Sequence, residues 1–312
     1  MREAKGILAW ARGGQVPALM LGGLVMLGSL YGLGARARDG ARIEGQTASA
    51  EGTRRALVIA HRGGAGLWPE NTLHAFEQAT ALGADVIELD VHAAADGELV
   101  VIHDATVGRT TEGAGSVKSL PLAALKSLDA GHRWTADGGK TFPFRGRGLT
   151  VPTLREVFER LPRARFNIEP KQESPSITRA LCRLIREHKM GERVVVGSFR
   201  QPVLEEFRRE CPEVATSAGP TELAEFLGAL RAGGAAAGRP RMRALQVPDY
   251  AGGTPLVTAE FVRAAHAQGL EVHAWTVNEV ADMRRLLDAG VDGIMTDYPD
   301  RLLGVLGGKR AP

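Results

Sequence analysis

Short apolar runs alternate with amphipathic segments from residue 56 to residue 304, and this alternation limits the fold more than any other feature of the chain. Nine runs have the length of buried strands: 56–60, 86–91, 99–103, 166–168, 194–198, 214–218, 244–247, 271–276 and 293–296. Strands that alternate with helices are typical of a parallel sheet covered by helices. The pattern therefore predicts an α/β fold.

The run 99–103 differs from the others because it follows the second strand without room for a helix. Asp96 and Gly97, between the two runs, are a turn signal, so we interpret 99–103 as the return arm of a hairpin. Eight strands remain, and eight β/α units in about 250 residues are typical of a TIM barrel. We predict a (βα)8 TIM barrel over 56–304, with an insertion at 92–150 after the second strand.

Several local signals complete this prediction. Asn278 is expected to cap a helix that stops at Gly290, and Asp297 is expected to cap the last helix. Cys182 and Cys211 form neither a disulfide framework nor a metal-type spacing. We expect both cysteines to be small, buried and unreactive side chains.

The N-terminal region has a separate character. Residues 16–33 carry no charge, follow a basic stretch at 1–15 and precede a polar linker at 34–55. An apolar segment of this length is either a transmembrane anchor or the core of a signal peptide. We therefore predict an N-terminal hydrophobic helix that associates with the membrane, and a protein of the cell envelope, either membrane-anchored or exported. Residues 305–312 are a tail.

The basic charge of the chain is confined to this N-terminal region. Residues 1–55 carry eight Lys or Arg against four Asp or Glu, while the formal net charge of the whole chain is +3. The rest of the chain therefore has a net charge of −1. A basic surface is the usual sign of nucleic-acid binding, so we expect no nucleic-acid partner.

Charged residues stand at the carboxyl ends of the first barrel strands, where a TIM barrel has its active site. His61 and Arg62 follow the first strand, and Glu88 and Asp90 lie two apart on the second, so both carboxylates point to one face. Unpaired carboxylates on a buried face are costly, and a cation removes that cost. Glu169 on the next barrel strand supplies a third oxygen ligand, and three carboxylates favour one divalent cation, Mg²⁺ or Ca²⁺.

The hairpin brings a second histidine to the same end of the barrel. With the turn at the Asp-Gly pair, His103 returns to lie across from about residue 90, beside the metal site and opposite His61. Two histidines beside a metal-held phosphate, with Arg62 and Lys171 nearby, suit phosphodiester cleavage. They supply a base, an acid and cations for the developing charge.

The segments that carry these residues resemble the glycerophosphodiester phosphodiesterase family in order and spacing: AHRGGAGLWPENT, GADVIELDVHAAADGELVVIHD, RFNIEPK, VVVGSF, AWTVN and GVDGIMTDYPD. The resemblance spans about residues 56–304 and implies a TIM barrel, a divalent metal, and hydrolysis of glycerophosphodiesters to glycerol 3-phosphate and an alcohol. It assigns acid–base catalysis to His61 and His103, the substrate phosphate to Arg62 and Lys171, and the metal to the three carboxylates. It also implies that the glycerol 2-hydroxyl attacks first and that water then opens a cyclic phosphate.

Three positions near the site allow more than one interpretation. Pro170 stands where the family has a β-branched residue, and a strand that ends or bulges at this proline can aim Lys171 differently. Glu70 in the first loop either orients Arg62 or a substrate hydroxyl, or it favours a helix start through its charge. Trp275 either forms a wall of the pocket or packs inside the barrel.

The function we predict is metal-dependent hydrolysis of a glycerophosphodiester, a small-molecule substrate. A membrane tether would bring the site close to lipid, which keeps open a lysophospholipase D-type cleavage of lysophospholipids. A catalytically silent, membrane-anchored binding barrel is a third hypothesis. The two histidines and three carboxylates argue against it, because burying such a set without need is costly. The sequence assigns no oligomeric state.

Overall fold

The computed structural model describes residues 55–233 and 242–307. The predicted hydrophobic helix at 16–33 and the basic stretch at 1–15 lie outside the described residues, as do all but the last residue of the linker. Within the two described ranges, no helix combines the length and the apolar character needed to cross a membrane.

The described residues form eleven strands. These are β1 (Leu57–Ala60), β2 (Val86–Ala93), β3 (Leu99–Val101), β4 (Phe166–Pro170), β5 (Val194–Val196), β6 (Ala215–Thr216), β7 (Ala244–Pro248), β8 (Tyr250–Ala251), β9 (Thr254–Pro255), β10 (Glu271–Trp275) and β11 (Gly293–Thr296). Eight of them run parallel in the order β6-β5-β4-β2-β1-β11-β10-β7. A parallel bridge between Ser217 and Ala244 joins the two ends of this order, and the Ala218 amide donates to the Ala244 carbonyl at 2.8 Å. The predicted eight-stranded barrel is thereby confirmed.

Nine α-helices accompany the strands in the part of the chain that the structure describes. They are α1 (Leu73–Leu82), α2 (Leu122–Lys126), α3 (Leu154–Arg160), α4 (Thr178–Glu187), α5 (Gln201–Glu210), α6 (Pro220–Arg231), α7 (Ala259–Ala267), α8 (Val280–Ala289) and α9 (Pro299–Val305). Large apolar side chains lie between helices and sheet and are fully buried, among them Phe158 on α3 and Phe207 on α5. Burying each such ring stabilises the fold by roughly 1.5–3 kcal/mol.

Two helix ends test the predicted signals. Gly290 ends α8 with a φ of 89°, a conformation that glycine adopts without steric cost, as predicted. Asn278 does not cap α8, because Glu279 occupies the N-cap position and makes no side-chain capping hydrogen bond. The prediction for Asn278 is therefore wrong. Its amide is used elsewhere, beside the end of β11.

The hairpin interpretation of the run 99–103 is confirmed. β3 pairs antiparallel with β2, with Val91 opposite Val101, and the Ile102 amide donates to the Asp90 carbonyl at 3.0 Å. His103 follows Ile102 in the chain, so it lies beside the part of β2 that carries Asp90. The segment after the hairpin has a small apolar core of its own, to which Val107, Val117 and other buried residues contribute.

This inserted segment packs against the loop between β1 and α1. The Trp134 Nε1 atom donates to the Ala65 carbonyl at 3.0 Å, and the Phe144 ring lies 5.2 Å from the His74 ring. These contacts fix the insertion over the loop that begins with His61. Support for that loop thus comes from the insertion as well as from the barrel.

The expectation for the two cysteines is wrong, because Cys182 and Cys211 form a disulfide. They are 29 residues apart in sequence, but α4 and the end of α5 are neighbours, and the two Cα atoms are 5.6 Å apart. That separation lies within the range a disulfide requires. Both cysteines are buried, as predicted.

Candidate active site

His61, Arg62 and Gly63 form a short 3₁₀ turn at the carboxyl end of β1. Arg62 has a φ of 52°, a left-handed conformation that is uncommon for residues other than glycine. This conformation points the Arg62 amide at Glu88 Oε2, 2.8 Å away, while its guanidinium reaches Glu70 Oε1 at 3.0 Å. Strain of this kind persists where the surrounding structure determines it, and it commonly marks functional sites.

Glu88, Asp90 and Glu169 come together as the sequence predicts. Oxygen atoms from all three carboxylates lie within 4.8 Å of one another. The register explains this proximity, because β2 and β4 are parallel neighbours with Asp90 directly opposite Glu169. Glu88 and Asp90 are also both buried on β2.

Burial strongly perturbs these carboxylates. Desolvation raises the pKa of Glu88 to about 7, and the neighbouring charge of Asp90 acts in the same direction. Desolvation likewise raises the pKa of Glu169 to about 7, although Lys171 opposes it. Burial alone would also raise the pKa of Asp90, but the charges of Lys171, Arg62 and His103 hold it well below its usual range.

The carboxylate cluster fits a divalent cation. All three donors are hard oxygen atoms, which Mg²⁺ and Ca²⁺ prefer, and no sulfur or imidazole ligand takes part. Two carboxyl groups that resist ionisation at neutral pH indicate negative charge that the protein compensates only in part. The residues present are therefore suited to hold such an ion.

Pro170 does not turn Lys171 away from the site. The strand ends at this proline, and the Lys171 amide still donates to the Val91 carbonyl at 3.0 Å. The Lys171 Nζ atom lies 2.8 Å from Glu169 Oε2 and 3.3 Å from Asp90 Oδ1. Lys171 therefore faces the carboxylate cluster.

His61 has a carboxylate partner that the sequence analysis missed. Its Nδ1 atom lies 2.7 Å from Asp297 Oδ1, and Asp297 Oδ2 accepts a hydrogen bond from Asn278 Nδ2 at 2.7 Å. The expected capping role of Asp297 is wrong, because α9 follows Tyr298 and has no side-chain cap. β1 and β11 are parallel neighbours with Ala60 opposite Thr296, so the residues that follow them must meet.

This partnership controls the charge of His61. Burial alone would lower the pKa of His61, but the hydrogen bond to Asp297 and the charge of Glu88 outweigh it and raise the pKa above its ordinary value. The pKa of Asp297 lies below its ordinary range, because contact with His61 and Asn278 outweighs burial. The contact with Asp297 therefore stabilises the protonated form of His61.

His103 is held in a similar way by its chain neighbour. The His103 Nδ1 atom lies 2.6 Å from Asp104 Oδ1, and Asp104 also accepts hydrogen bonds from Arg109. His103 therefore has a carboxylate partner on Nδ1, as His61 does. His103 is near enough for its charge to lower the pKa of Asp90, but it lies beside the main cavity and does not line it.

Two residues of the loop between β1 and α1 form hydrogen bonds with side chains of the site. Glu70 contacts Arg62 and also binds both terminal nitrogens of Arg109, at 2.7 Å each. Asn71, buried and with a φ of 56°, donates from Nδ2 to Asp90 Oδ2 at 2.9 Å. Thr72 is the residue that caps α1.

A cavity of about 1020 Å³ opens above the carboxylate cluster. Its lining includes the predicted site residues His61, Arg62, Glu88, Asp90, Glu169 and Lys171, together with Asp297. Apolar side chains also line it, among them Leu223 and Leu227 from α6 and the rings of Phe199 and Trp275, whose centroids are 5.2 Å apart, and so do polar residues such as Arg200, Arg231 and Gln246. Trp275 thus forms part of the wall, one of the two positions considered for it.

A TIM barrel with buried carboxylates, imidazoles and cations at the carboxyl ends of its strands has the groups that a phosphodiester hydrolase requires. A family model described as the glycerophosphoryl diester phosphodiesterase family matches residues 61–301. The chain belongs to this family.

Individual relatives agree with this membership. A glycerophosphodiester phosphodiesterase of Caldanaerobacter subterraneus is 39% identical over 258 residues, which are 80% of this chain and 97% of that protein. A crystal structure of a glycerophosphodiester phosphodiesterase from Agrobacterium tumefaciens, 28% identical, has a TM-score of 0.65 and covers 80% of this chain and 100% of that one.

Two further relatives are informative about ligands. An Oleispira antarctica phosphodiesterase, solved in complex with the product sn-glycerol-3-phosphate, is 26% identical with a TM-score of 0.63, covering 80% of this chain and 96% of that one. A lysophospholipase D of Mus musculus is 26% identical over 269 residues, which are 78% of this chain and 84% of that protein.

Proposed function

We propose that this chain hydrolyses glycerophosphodiesters to glycerol 3-phosphate and an alcohol, with one divalent cation, Mg²⁺ or Ca²⁺, held by the three clustered carboxylates. The observation that carries the proposal is the cluster itself, which stands beside Arg62 and Lys171 at the floor of the cavity. When bound, the cation would stabilise negative charge on the phosphate oxygens. The relatives with this activity and this product support the substrate class.

In the proposed reaction, Arg62 and Lys171 bind the phosphate and the two histidines move protons. His103 removes the proton of the glycerol 2-hydroxyl, whose oxygen bonds to phosphorus as the alcohol oxygen leaves with a proton from His61. In the second step the water oxygen bonds to the phosphorus of the cyclic phosphate while His61 takes the water proton. The bond between phosphorus and the 2-oxygen breaks, and His103 returns its proton to the 2-oxygen. The raised pKa of His61 supports its role as the first proton donor.

The test is release of glycerol 3-phosphate from glycerophosphocholine by the full chain, first treated with a chelator and then supplied with Mg²⁺ or Ca²⁺. We expect the chelator to abolish release and one of the ions to restore it. Glu88→Gln should require more metal for half-maximal activity, while Glu159→Gln, at an exposed position on α3, should behave as the wild type. Turnover that is unaffected by the chelator would contradict the metal assignment.

The apolar side chains in the cavity lining favour a second substrate class, the lysophospholipids. An acyl chain could cover the apolar surface of Phe199, Trp275, Leu223 and Leu227. A polar glycerophosphodiester does not need such a surface. Comparing rates on lysophosphatidylcholine and glycerophosphocholine separates the two classes, and Phe199→Ala should reduce only a lipid-specific rate. Metal binding without turnover of either substrate would favour the silent binding barrel.

We further propose that the protein acts in the cell envelope, membrane-anchored or exported. The uncharged segment 16–33 supports this location, and so does the disulfide between Cys182 and Cys211, because disulfides persist mainly in oxidising compartments. Fractionation of the native cells, with mass spectrometry of the mature chain and its cysteines, tests the proposal. A full-length chain with reduced cysteines in the cytosolic fraction would contradict it.

A further inference from the structure

Arg109 belongs to the inserted segment and binds two carboxylates from different parts of the site. Its Nη1 and Nη2 atoms donate to the two oxygens of Glu70 at 2.7 Å each. Its Nε and Nη2 atoms donate to the two oxygens of Asp104 at 2.7 and 3.2 Å. A planar guanidinium can satisfy two carboxylates at once, which the single ammonium of lysine cannot do with the same geometry.

Each of these carboxylates holds a residue to which we assign a role in the reaction. Glu70 Oε1 accepts a hydrogen bond from Arg62 Nη1 at 3.0 Å, and Asp104 Oδ1 lies 2.6 Å from His103 Nδ1. A continuous chain of charged contacts therefore runs from Arg62 through Arg109 to His103. Arg109 is its middle member and does not line the cavity.

We propose that Arg109 is a positioning residue, which fixes Arg62 and His103 relative to each other by binding Glu70 and Asp104 together. This inference rests on the proposed function, because it assumes that Arg62 binds the phosphate and that His103 transfers a proton. It also gives the part of the insertion that follows the β2–β3 hairpin a role in the reaction, because its Arg109 side chain joins the Arg62 side of the site to the His103 side.

The charges of the chain agree with this role. Burial would raise the pKa of Glu70, but the hydrogen bond from Arg109 and the charge of Arg62 lower it below the ordinary value. Burial likewise opposes the lowered pKa of Asp104, which hydrogen bonds from Arg109 and His103 produce. Arg109 thus helps to keep both carboxylates ionised, as acceptors for Arg62 and His103.

The backbone before and after Arg109 is held by hydrogen bonds, so the position of the Arg109 Cα atom is fixed. The Val107 amide donates to the Gly115 carbonyl at 3.1 Å, and the Arg133 Nε atom donates to the Thr111 carbonyl at 2.8 Å. Thr106 and Ser116 also form an antiparallel bridge. Removing only the Arg109 side chain should therefore leave the turn in place.

The experiment compares Arg109→Ala with Arg145→Ala in the full chain, by kinetics on glycerophosphocholine. Arg145 lies in the same insertion and is exposed, and its Nε atom donates to the His132 carbonyl, away from the site. We expect Arg109→Ala to lower kcat by about 10- to 100-fold and to raise KM several-fold, the range found for residues that orient active groups. Arg145→Ala should keep wild-type kinetics.

Guanidinium ion provides a readout that a merely structural role would not move. The Arg109 side chain is 45% exposed, so a free guanidinium ion can reach the space it leaves. Guanidinium at tens of millimolar should restore kcat of Arg109→Ala at least about fivefold, while the same concentration of NaCl should not. Activity lost together with melting temperature, and not restored by guanidinium, would overturn the proposal.

Two further measurements complete the test. Because Arg109 acts through Asp104, the loss in Arg109→Ala/Asp104→Asn should be smaller than the product of the single losses, and independent losses would overturn the proposal. Binding of glycerol 3-phosphate, measured by calorimetry, should weaken about tenfold in Arg109→Ala even without turnover. An inactive wild type contradicts the proposed function, whereas an Arg109→Ala variant with wild-type kinetics and wild-type binding contradicts only this inference.

Discussion

The two histidines of the site are oriented by the same kind of contact but by different regions of the molecule. Each presents Nδ1 to a carboxylate, at 2.7 Å for His61 with Asp297 and at 2.6 Å for His103 with Asp104. On the His61 side, Asn278 donates a hydrogen bond to Asp297, where the carboxyl ends of β1 and β11 lie side by side. On the His103 side, an arginine from the insertion fixes Asp104.

This difference shows how the same type of contact can depend on different supporting residues within one fold. The His61 side depends on which strands are neighbours, since the ends of β1 and β11 meet when the barrel closes. The His103 side depends on a hairpin and on a segment with its own small core. We therefore expect the His61 side to be the more rigid of the two, and the insertion to be the place where sequence changes tune the reaction.

The largest expected effects come from removing the histidines. His61→Ala and His103→Ala should each lower kcat on glycerophosphocholine by about 10²–10⁴-fold, the contribution typical of general acid–base catalysis. His266→Ala, a matched change on α7, should leave kcat unchanged. Turnover by either site variant within a few fold of the wild type would contradict the assignment.

A substrate with a better leaving group sharpens the comparison between the two histidines. A p-nitrophenyl leaving group hardly needs a proton donor, so in His61→Ala the first step, measured as p-nitrophenol release in a single turnover of glycerophospho-p-nitrophenol, should recover most of its rate. His103→Ala should not recover, because the 2-hydroxyl still requires a base. Recovery by His103→Ala alone would exchange the two roles.

The carboxylates behind the histidines should give the next largest effects. Asp297→Asn removes the hydrogen-bonded charge that outweighs burial, so the pKa of His61 should fall. A proton donor with a lower pKa is lost at lower pH, so the alkaline limb of kcat should move to lower pH while kcat falls about 10- to 100-fold. Asp104→Asn should lower kcat without moving the limb that His61 sets, and exposed Asp300→Asn should do neither. An unshifted limb in Asp297→Asn would show that this limb does not report His61.

Much of the barrel and of the site could be predicted from the sequence because both depend on local patterns. Strand and helix periods define the β/α units, and the positions at or directly after the carboxyl ends of the strands supply His61, Glu169 and Lys171. The Asp-Gly turn was sufficient to place His103 near Asp90, which the register of β2 and β3 confirms. These predictions required only neighbours along the chain or alternation along one strand.

The contacts that could not be predicted join distant parts of the chain. For Asp297 a signal was present: it follows the last barrel strand, which must lie beside the first one when the barrel closes, so it had to meet His61. The disulfide gave no such signal, because its formation depends on how α4 and α5 pack. Arg109 lies in an insertion without regular periodicity, so its reach to Glu70 appears only in the folded structure.

The smallest expected effect is a dependence of the free energy of unfolding on pH, and it arises from Glu88 and Glu169 in the carboxylate cluster. Glu88 and Glu169 have pKa values raised to about 7 in the folded protein, above their ordinary value of 4.5. Both groups are therefore unfavourable to folding once they ionise. The metal-free protein should lose stability as pH rises from about 4.5 through 7, and this loss should be absent below that window.

A divalent cation should compensate these charges only where the carboxylates have lost their protons. The rise in melting temperature that Mg²⁺ or Ca²⁺ produces should therefore be small at pH 5.5 and reach about 4 °C or more at pH 8, as thermal unfolding of chelator-treated full chain can measure. Glu88→Gln should flatten this dependence, whereas exposed Glu159→Gln should preserve it. Equal stabilisation at both pH values would mean that the cation does not bind at these carboxylates.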